Sequence, residues 1–83
     1  MPTQTEIFEA VKQHLEGRGI EGSKIARESD LLTDLDLDSL DTMEFTLAME
    51  ERFSIEIPDA DLESLRTVND AIALIEKKLT VSA

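Results

Sequence analysis

The sequence predicts an all-α fold: a small four-helix bundle with a long ordered loop between helices 1 and 2 and a short helix 3. The chain has 83 residues, of which 41% are hydrophobic, so it has room for one small core. Three stretches carry apolar residues three and four positions apart, which is helical periodicity. Residues suited to cap a helix precede each stretch. We therefore expect a single domain over residues 1–83.

The first helix is predicted over residues 4–16. Thr3 and Glu6 have the spacing of a capping box, in which two residues satisfy the first turn reciprocally. Gly17 and Gly19 follow, and both allow the backbone to leave a helix. One apolar stripe runs along the segment, formed by Ile7, Phe8, Val11 and Leu15.

Residues 17–37 form a long connection, which needs an explanation in so small a domain. The segment lacks the Pro, Gly and Ser richness of a flexible linker. We expect an ordered loop with room for one helical turn. Six apolar side chains would hold it to the core: Ile20, Ile25, Leu31, Leu32, Leu35 and Leu37.

The second helix is predicted to start with Asp38 and to end near residues 52–53. Asp38 suits the N-cap, and Asp41 lies three residues later, where the helix dipole favours a carboxylate. One apolar line repeats every four residues and is predicted to be core: Phe45, Met49 and Phe53. A second line lies on a neighbouring face among acids, and its periodicity fits a partner surface and a wide buried face equally: Leu40, Met43 and Leu47.

A short third helix is predicted over residues 60–64. Pro58 prevents the second helix from continuing through this region, since proline disfavours a helical residue before it. Asp59 is expected to cap the new helix.

The fourth helix is predicted over residues 68–79. Thr67 and Asp70 have the spacing of another reciprocal cap. A 4-3-4 apolar stripe follows, formed by Val68, Ile72, Ile75 and Leu79. We expect residues 80–83 to fray.

The net charge of −11 is concentrated in the middle of the chain. Nine carboxylates and no lysine or arginine lie from Glu28 to Glu51. Such a field repels nucleic acid and anionic membranes, so we expect basic protein surfaces as partners. A solvated, solubilising face is the alternative interpretation. The sequence shows neither a signal-peptide pattern nor an apolar membrane span, which favours a cytoplasmic location without membrane insertion.

The residues around Ser39 fit neither a metal site nor a hydrolase. Asp34, Asp36 and Asp38 match the first ligands of a calcium-binding EF-hand loop, but the glycine and the bidentate glutamate of such a loop are missing. The chain has no cysteine and one histidine, His14, which we interpret as an ordinary surface residue. A serine hydrolase would lack its catalytic partners, and a glycosidase its cleft. The sequence does not indicate an enzyme.

Ser39 lies in the first turn of the predicted second helix. Free backbone N–H groups and the helix dipole favour an attached or bound phosphate there. Position alone nevertheless favours a plainer interpretation, a serine that only starts a helix.

Three segments resemble the acyl carrier proteins. They are residues 38–44 (DSLDTME), 48–53 (AMEERF) and 57–59 (IPD), at the spacing of that family, and the similarity extends over nearly the whole chain. The resemblance implies a four-helix bundle in which Ser39 carries 4′-phosphopantetheine, transferred from coenzyme A by a phosphopantetheinyl transferase. It also implies a non-catalytic carrier that holds acyl chains as thioesters between enzymes of fatty-acid or polyketide-type biosynthesis.

The resemblance further implies a partner face on the second helix. Its acids would meet lysines and arginines on acyl-transferring and synthase enzymes: Asp38, Asp41, Glu44, Glu50 and Glu51. Its apolar contacts would be Leu40, Met43 and Leu47. Such charges speed and orient encounter, which suits a monomeric carrier that leaves each partner quickly.

Several residues depart from the family's usual pattern. Asp36 and Leu37 replace the usual glycine and alanine, and Phe45 and Thr46 stand where smaller aliphatic residues are common. Arg52 occupies an often acidic position. These departures favour a specialised carrier over the housekeeping one. A peptidyl or aminoacyl carrier, which is generally less acidic, and an unmodified acidic helical adaptor remain the alternatives.

Overall fold

The computed structural model describes residues 3–82, which form four α-helices. These are α1 (Gln4–Gly17), α2 (Ser39–Phe53), α3 (Asp59–Leu62) and α4 (Val68–Ser82), with one 3₁₀ turn at Gly22–Lys24. Within residues 3–82 there is no β-strand, and one isolated β-bridge. The predicted all-α bundle with a long loop and a short third helix is confirmed.

Both ends of α1 are fixed by local hydrogen bonds. At the start, the predicted Thr3 cap forms, because its hydroxyl accepts a hydrogen bond from a backbone N–H of the first turn (3.2 Å). At the end, Gly19 has a φ of 95°, and its N–H donates to the Glu16 carbonyl (3.0 Å). The Ile20 N–H donates to the Leu15 carbonyl (3.2 Å). These two bonds make a Schellman motif, which ends α1 at a glycine that tolerates the left-handed backbone.

The core lies where α1 packs against α4 and α2. Phe53, predicted to be core, is only half-buried because it ends α2 at the edge of the cluster. Each fully buried large apolar side chain contributes about 1.5–3 kcal/mol. The three helices supply Ile7, Val11, Leu15, Phe45, Met49, Val68, Ile72 and Ile75.

The long loop is held to this core by apolar side chains, as predicted. Ile20 is half-buried, whereas Ile25, Leu35 and Leu37 are buried. The prediction is wrong for Leu32, which is 53% exposed. It follows the buried Leu31 in a tight turn, so the two side chains do not point the same way.

A backbone connection that the sequence does not indicate joins the loop to the start of α4. The Leu31 N–H donates to the Arg66 carbonyl (2.8 Å). The Val68 N–H donates to the Ser29 carbonyl (3.0 Å). These bonds close the isolated antiparallel bridge and fix the loop from a second side.

α2 has the predicted bounds. The Asp38 side chain accepts from the Asp41 N–H (2.8 Å), and the Asp41 side chain accepts from the Asp38 N–H (3.3 Å). Together they form a capping box. The helix ends where Ser54 takes a left-handed backbone with a φ of 55°.

α3 begins one residue earlier than predicted. Asp59 is its first residue rather than its cap, and Pro58 holds the N-cap position without a side-chain hydrogen bond. The φ of Pro58 is −64°, which already suits entry into a helix, so the helix starts directly after it. The Lys78 ammonium lies 2.9 Å from the Asp61 carboxylate, which ties this short helix to α4.

α4 starts with the predicted cap and runs longer than expected. The Asp70 N–H donates to the Thr67 hydroxyl (3.2 Å), and the Thr67 N–H donates to the Asp70 carboxylate (3.1 Å). The prediction that the chain end frays is wrong for residues 80–82, which continue the helix. Ala83 lies outside the described residues. The Thr80 hydroxyl donates to a carbonyl one turn earlier (3.0 Å) and supports this extension.

Candidate attachment site and partner face

Ser39 is the first residue of α2, and it is exposed. It borders an open groove of about 280 Å³ that lies between the long loop, α2 and α3. The other residues that line the groove are mostly apolar: Leu32, Thr42, Met43, Leu62 and Leu65. The Ser39 side chain therefore stands between solvent and an apolar surface.

Hydrogen bonds around Asp30 order the loop that precedes Ser39. The Asp30 carboxylate accepts from the backbone N–H groups of Thr33 (3.0 Å) and Leu32 (2.9 Å). These bonds hold the pKa of Asp30 below its usual value. The Asp30 N–H in turn donates to the Asp34 carboxylate (2.8 Å). Asp34, the first acid of the calcium-like pattern, thus stabilises a turn.

Asp36 and Leu37 connect this turn to α2. Asp36 has a φ of 58°, a left-handed conformation that favours glycine and that aspartate tolerates. Leu37 is buried, and its N–H donates to the Leu31 carbonyl (3.0 Å). A buried leucine therefore anchors the chain directly before the Asp38 cap and fixes where Ser39 emerges.

The second apolar line of α2 faces solvent. Periodicity allowed either a partner surface or a wide buried face, and the exposure of these side chains contradicts the buried one: Leu40 62%, Met43 47% and Leu47 58%. We call these three residues, together with Asp41 and Glu44, the outer face of α2. An apolar line of this kind beside acids is typical of an interaction surface.

Most of the predicted partner-binding acids form ion pairs or hydrogen bonds with other residues of the chain. Asp41 and Glu44 each pair with a different terminal nitrogen of the Arg18 guanidinium, at the end of α1. The Glu44 hydrogen bond, together with the charges of both acids, raises the pKa of Arg18. The Glu50 carboxylate accepts from the Ile57 N–H (3.2 Å). These acids therefore make contacts within the chain as well as being accessible to solvent.

Asp38 and Glu51 mark the two ends of the predicted set. The Asp38 carboxylate caps α2, although the residue is exposed. Glu51 is exposed near the end of α2. Sequence reasoning treated the five acids alike, and the structure gives them different surroundings.

His14 is not the ordinary surface residue that we predicted. It is half-buried, and its ring lies 5.7 Å from the Phe45 ring, centroid to centroid. Its Nε2 is enclosed without a hydrogen-bond partner in the described part of the chain. Burial, and then the charge of Arg18, lower the pKa of His14, while Glu44 opposes them. The position of His14 beside the apolar stripe of α1 was the feature of the sequence that could have indicated its burial.

Phe45 and Thr46 fill the inner side of α2. Phe45 is fully buried. Thr46 is buried too, and its hydroxyl donates to the Met43 carbonyl (2.8 Å), which satisfies the polar group. Neither residue lines the groove beside Ser39.

No group of three or more metal-ligating side chains is gathered within residues 3–82. The three aspartates of the calcium-like pattern, Asp34, Asp36 and Asp38, therefore do not form a site there. None of the described helices is both long and apolar enough to cross a membrane.

Comparison with known proteins matches residues 9–75 to a family described as "Phosphopantetheine attachment site". The chain is 40% identical to the acyl carrier protein of Thermotoga maritima, over 95% of this chain and 99% of the relative. It is 43% identical to the acyl carrier protein of Helicobacter hepaticus, over 86% and 95%. It is also 42% identical to the meromycolate extension acyl carrier protein of Mycobacterium bovis, over 90% and 66%. The family match includes Ser39 and the outer face of α2.

Proposed function

Because the chain belongs to the acyl carrier protein family and contains its phosphopantetheine attachment domain, we propose that Ser39 is the attachment residue. The protein holds acyl intermediates as thioesters and passes them between enzymes of fatty-acid or polyketide-type biosynthesis. It catalyses no step itself.

The position of Ser39 carries this proposal. Its exposed side chain lies in the first turn of a 15-residue helix. N–H groups and the helix dipole there stabilise the negative charge of a phosphodiester. Leu37 and Asp38 hold the serine at the surface from the preceding positions. When bound, 4′-phosphopantetheine supplies a thiol, which this cysteine-free chain lacks.

Modification by a phosphopantetheinyl transferase tests the assignment. The protein is incubated with coenzyme A and a broad-specificity transferase, and its intact mass is measured. We expect wild type to gain one phosphopantetheine and Ser39→Ala to gain none. Ser23→Ala, which removes another exposed serine hydroxyl, is the matched control and should gain the same mass as wild type.

Two outcomes would contradict the proposal. No gain on wild type would favour an unmodified acidic adaptor, and an equal gain on Ser39→Ala would move the attachment elsewhere.

We propose that the partners dock on the outer face of α2. They are the phosphopantetheinyl transferase and acyl-transferring and synthase enzymes with basic surfaces. The exposed apolar line supports this, because it offers contact area that the fold itself does not use. Charge complementarity with the flanking acids supports it as well. The monomeric state and cytoplasmic location stay predictions from the sequence.

We propose that the cargo is a specialised, short acyl chain. The groove beside Ser39, at about 280 Å³, lies near the lower end of usual ligand pockets, roughly 300–1,000 Å³. Phe45 does not line this groove, but it fills core space on the inner side of α2 that a smaller side chain would leave open to an acyl chain. We expect long acyl chains to be loaded less well than short ones, and Phe45→Leu to reduce the difference. Equal loading of both lengths on wild type would remove this argument.

A further inference from the structure

Arg18 brings a positive charge into a stretch of chain that has none of its own. From Glu28 to Glu51 the sequence has nine carboxylates and no lysine or arginine. The fold places the Arg18 guanidinium against two of them, Asp41 and Glu44, on the outer face of α2. The proposed docking surface therefore already contains a basic group from the same chain.

The guanidinium is held from two directions. The Arg18 backbone N–H donates to the Leu15 carbonyl (3.1 Å), and the left-handed Gly19 follows directly. This Schellman turn fixes where the side chain leaves α1. At its far end, one terminal nitrogen meets Asp41 and the other meets Glu44. The contact spans both acids in the way that a planar arginine allows.

We propose that Arg18 is an internal competitor of basic partners: it occupies Asp41 and Glu44 in the free protein, and a docking lysine or arginine must displace it. This inference rests on the proposed function. The three side chains are 26% to 49% exposed, so an incoming cation can reach the acids without unfolding the bundle. Exposed ion pairs contribute little net stability, so the exchange is energetically small. Arg18 thereby slows docking and favours partners that can engage both acids.

Removing Arg18 should speed docking. We compare Arg18→Gln with Arg66→Gln, since each removes one positive charge. Arg66 is 81% exposed, and its guanidinium lies 3.5 Å from the Asp30 carboxylate. Its ion-pair partner is therefore in the loop and not on the outer face of α2. At low salt, the transferase should modify Arg18→Gln with a kcat/KM about three- to tenfold above wild type. Arg66→Gln should stay near wild type. The difference should vanish at about 1 M salt, where the screening length is about 3 Å.

A purely structural role for Arg18 predicts the opposite result. If the arginine only ties α1 to α2, Arg18→Gln lowers Tm and leaves kcat/KM unchanged or lower. Equal values for Arg18→Gln and Arg66→Gln would also overturn the inference. If Arg18→Gln does not fold, Arg18→Lys decides, because lysine keeps the charge but cannot fork across both acids. A rise in the kcat/KM of Arg18→Lys that is smaller than the one expected for Arg18→Gln supports the competitor role. No rise overturns it.

His14, the one histidine of the chain, reports the position of Arg18 independently. The charge of Arg18 contributes to the lowered pKa of His14. An NMR titration of His14 should therefore give a higher pKa in Arg18→Gln than in wild type, with no change in Arg66→Gln. An unchanged pKa of His14 would mean that the Arg18 guanidinium does not lie against Asp41 and Glu44, which overturns the inference. Failure of wild type to be modified would instead overturn the proposed function.

Discussion

The two faces of α2 carry similar apolar residues into opposite surroundings. Phe45 and Met49 on the inner face are 1% and 2% exposed, whereas the apolar residues of the outer face are at least 47% exposed. Both lines have helical spacing, so periodicity does not separate them. They differ in their neighbours, because the inner line meets the core and the outer line is flanked by Asp41 and Glu44. One helix therefore presents both a core face and an exposed apolar face, and acids flank the exposed one.

Alanine substitutions on the two faces should differ most in stability. Phe45→Ala should lose about 3–5 kcal/mol of unfolding free energy, since it leaves a cavity in a packed core. Leu47→Ala should change that free energy by less than about 0.5 kcal/mol, as exposed positions usually do. Urea unfolding followed by circular dichroism measures both. Similar losses for the two variants would mean that the outer face packs against part of the fold.

Leu47→Ala should instead weaken docking. We expect its kcat/KM with the transferase to fall about three- to tenfold, because a central apolar contact is lost. Gln13→Ala, which alters an exposed side chain of α1, should behave like wild type. If Leu47→Ala reacts as fast as Gln13→Ala, the outer face is not the docking surface.

The features that could be predicted from sequence are those encoded within one or two helical turns. Asp38 and Asp41 cap α2 from three residues apart, and the same spacing placed Thr67 and Asp70 at the start of α4. The position of Ser39 in the first turn of α2 follows from the same cap, whereas its role as the attachment residue was implied by the family resemblance and stays a prediction.

The contacts that could not be predicted join residues far apart in the chain. Arg18 meets Asp41 and Glu44 across 23 and 26 positions, and no local pattern encodes that pairing. Such contacts depend on the angle at which α1 leaves its final turn, which only the packed bundle determines. The burial of His14 against Phe45 is a consequence of the same packing.

His14 of α1 contacts Phe45 on the inner face of α2 and feels the charges of Arg18 and Glu44. Its titration should therefore show how tightly the inner face is closed. Burial and the charge of Arg18 lower its pKa from 6.5, against the opposing charge of Glu44. The unfolded chain therefore takes up a proton near pH 6.5, whereas the folded protein does so only at lower pH. Stability should be complete above that pH and fall as the pH drops from there to the folded pKa.

The change should be smaller than that of Phe45→Ala, because His14 is only half-buried. We expect His14→Gln to lack this decline, since glutamine does not titrate. The measurement is the unfolding free energy of both proteins at several pH values from about 7.5 to 5. Carboxylates that titrate at lower pH are common to both proteins, so their effect cancels in the difference. A difference that stays constant across this range would mean that His14 is hydrated, and that the inner face of α2 is open where the structure closes it.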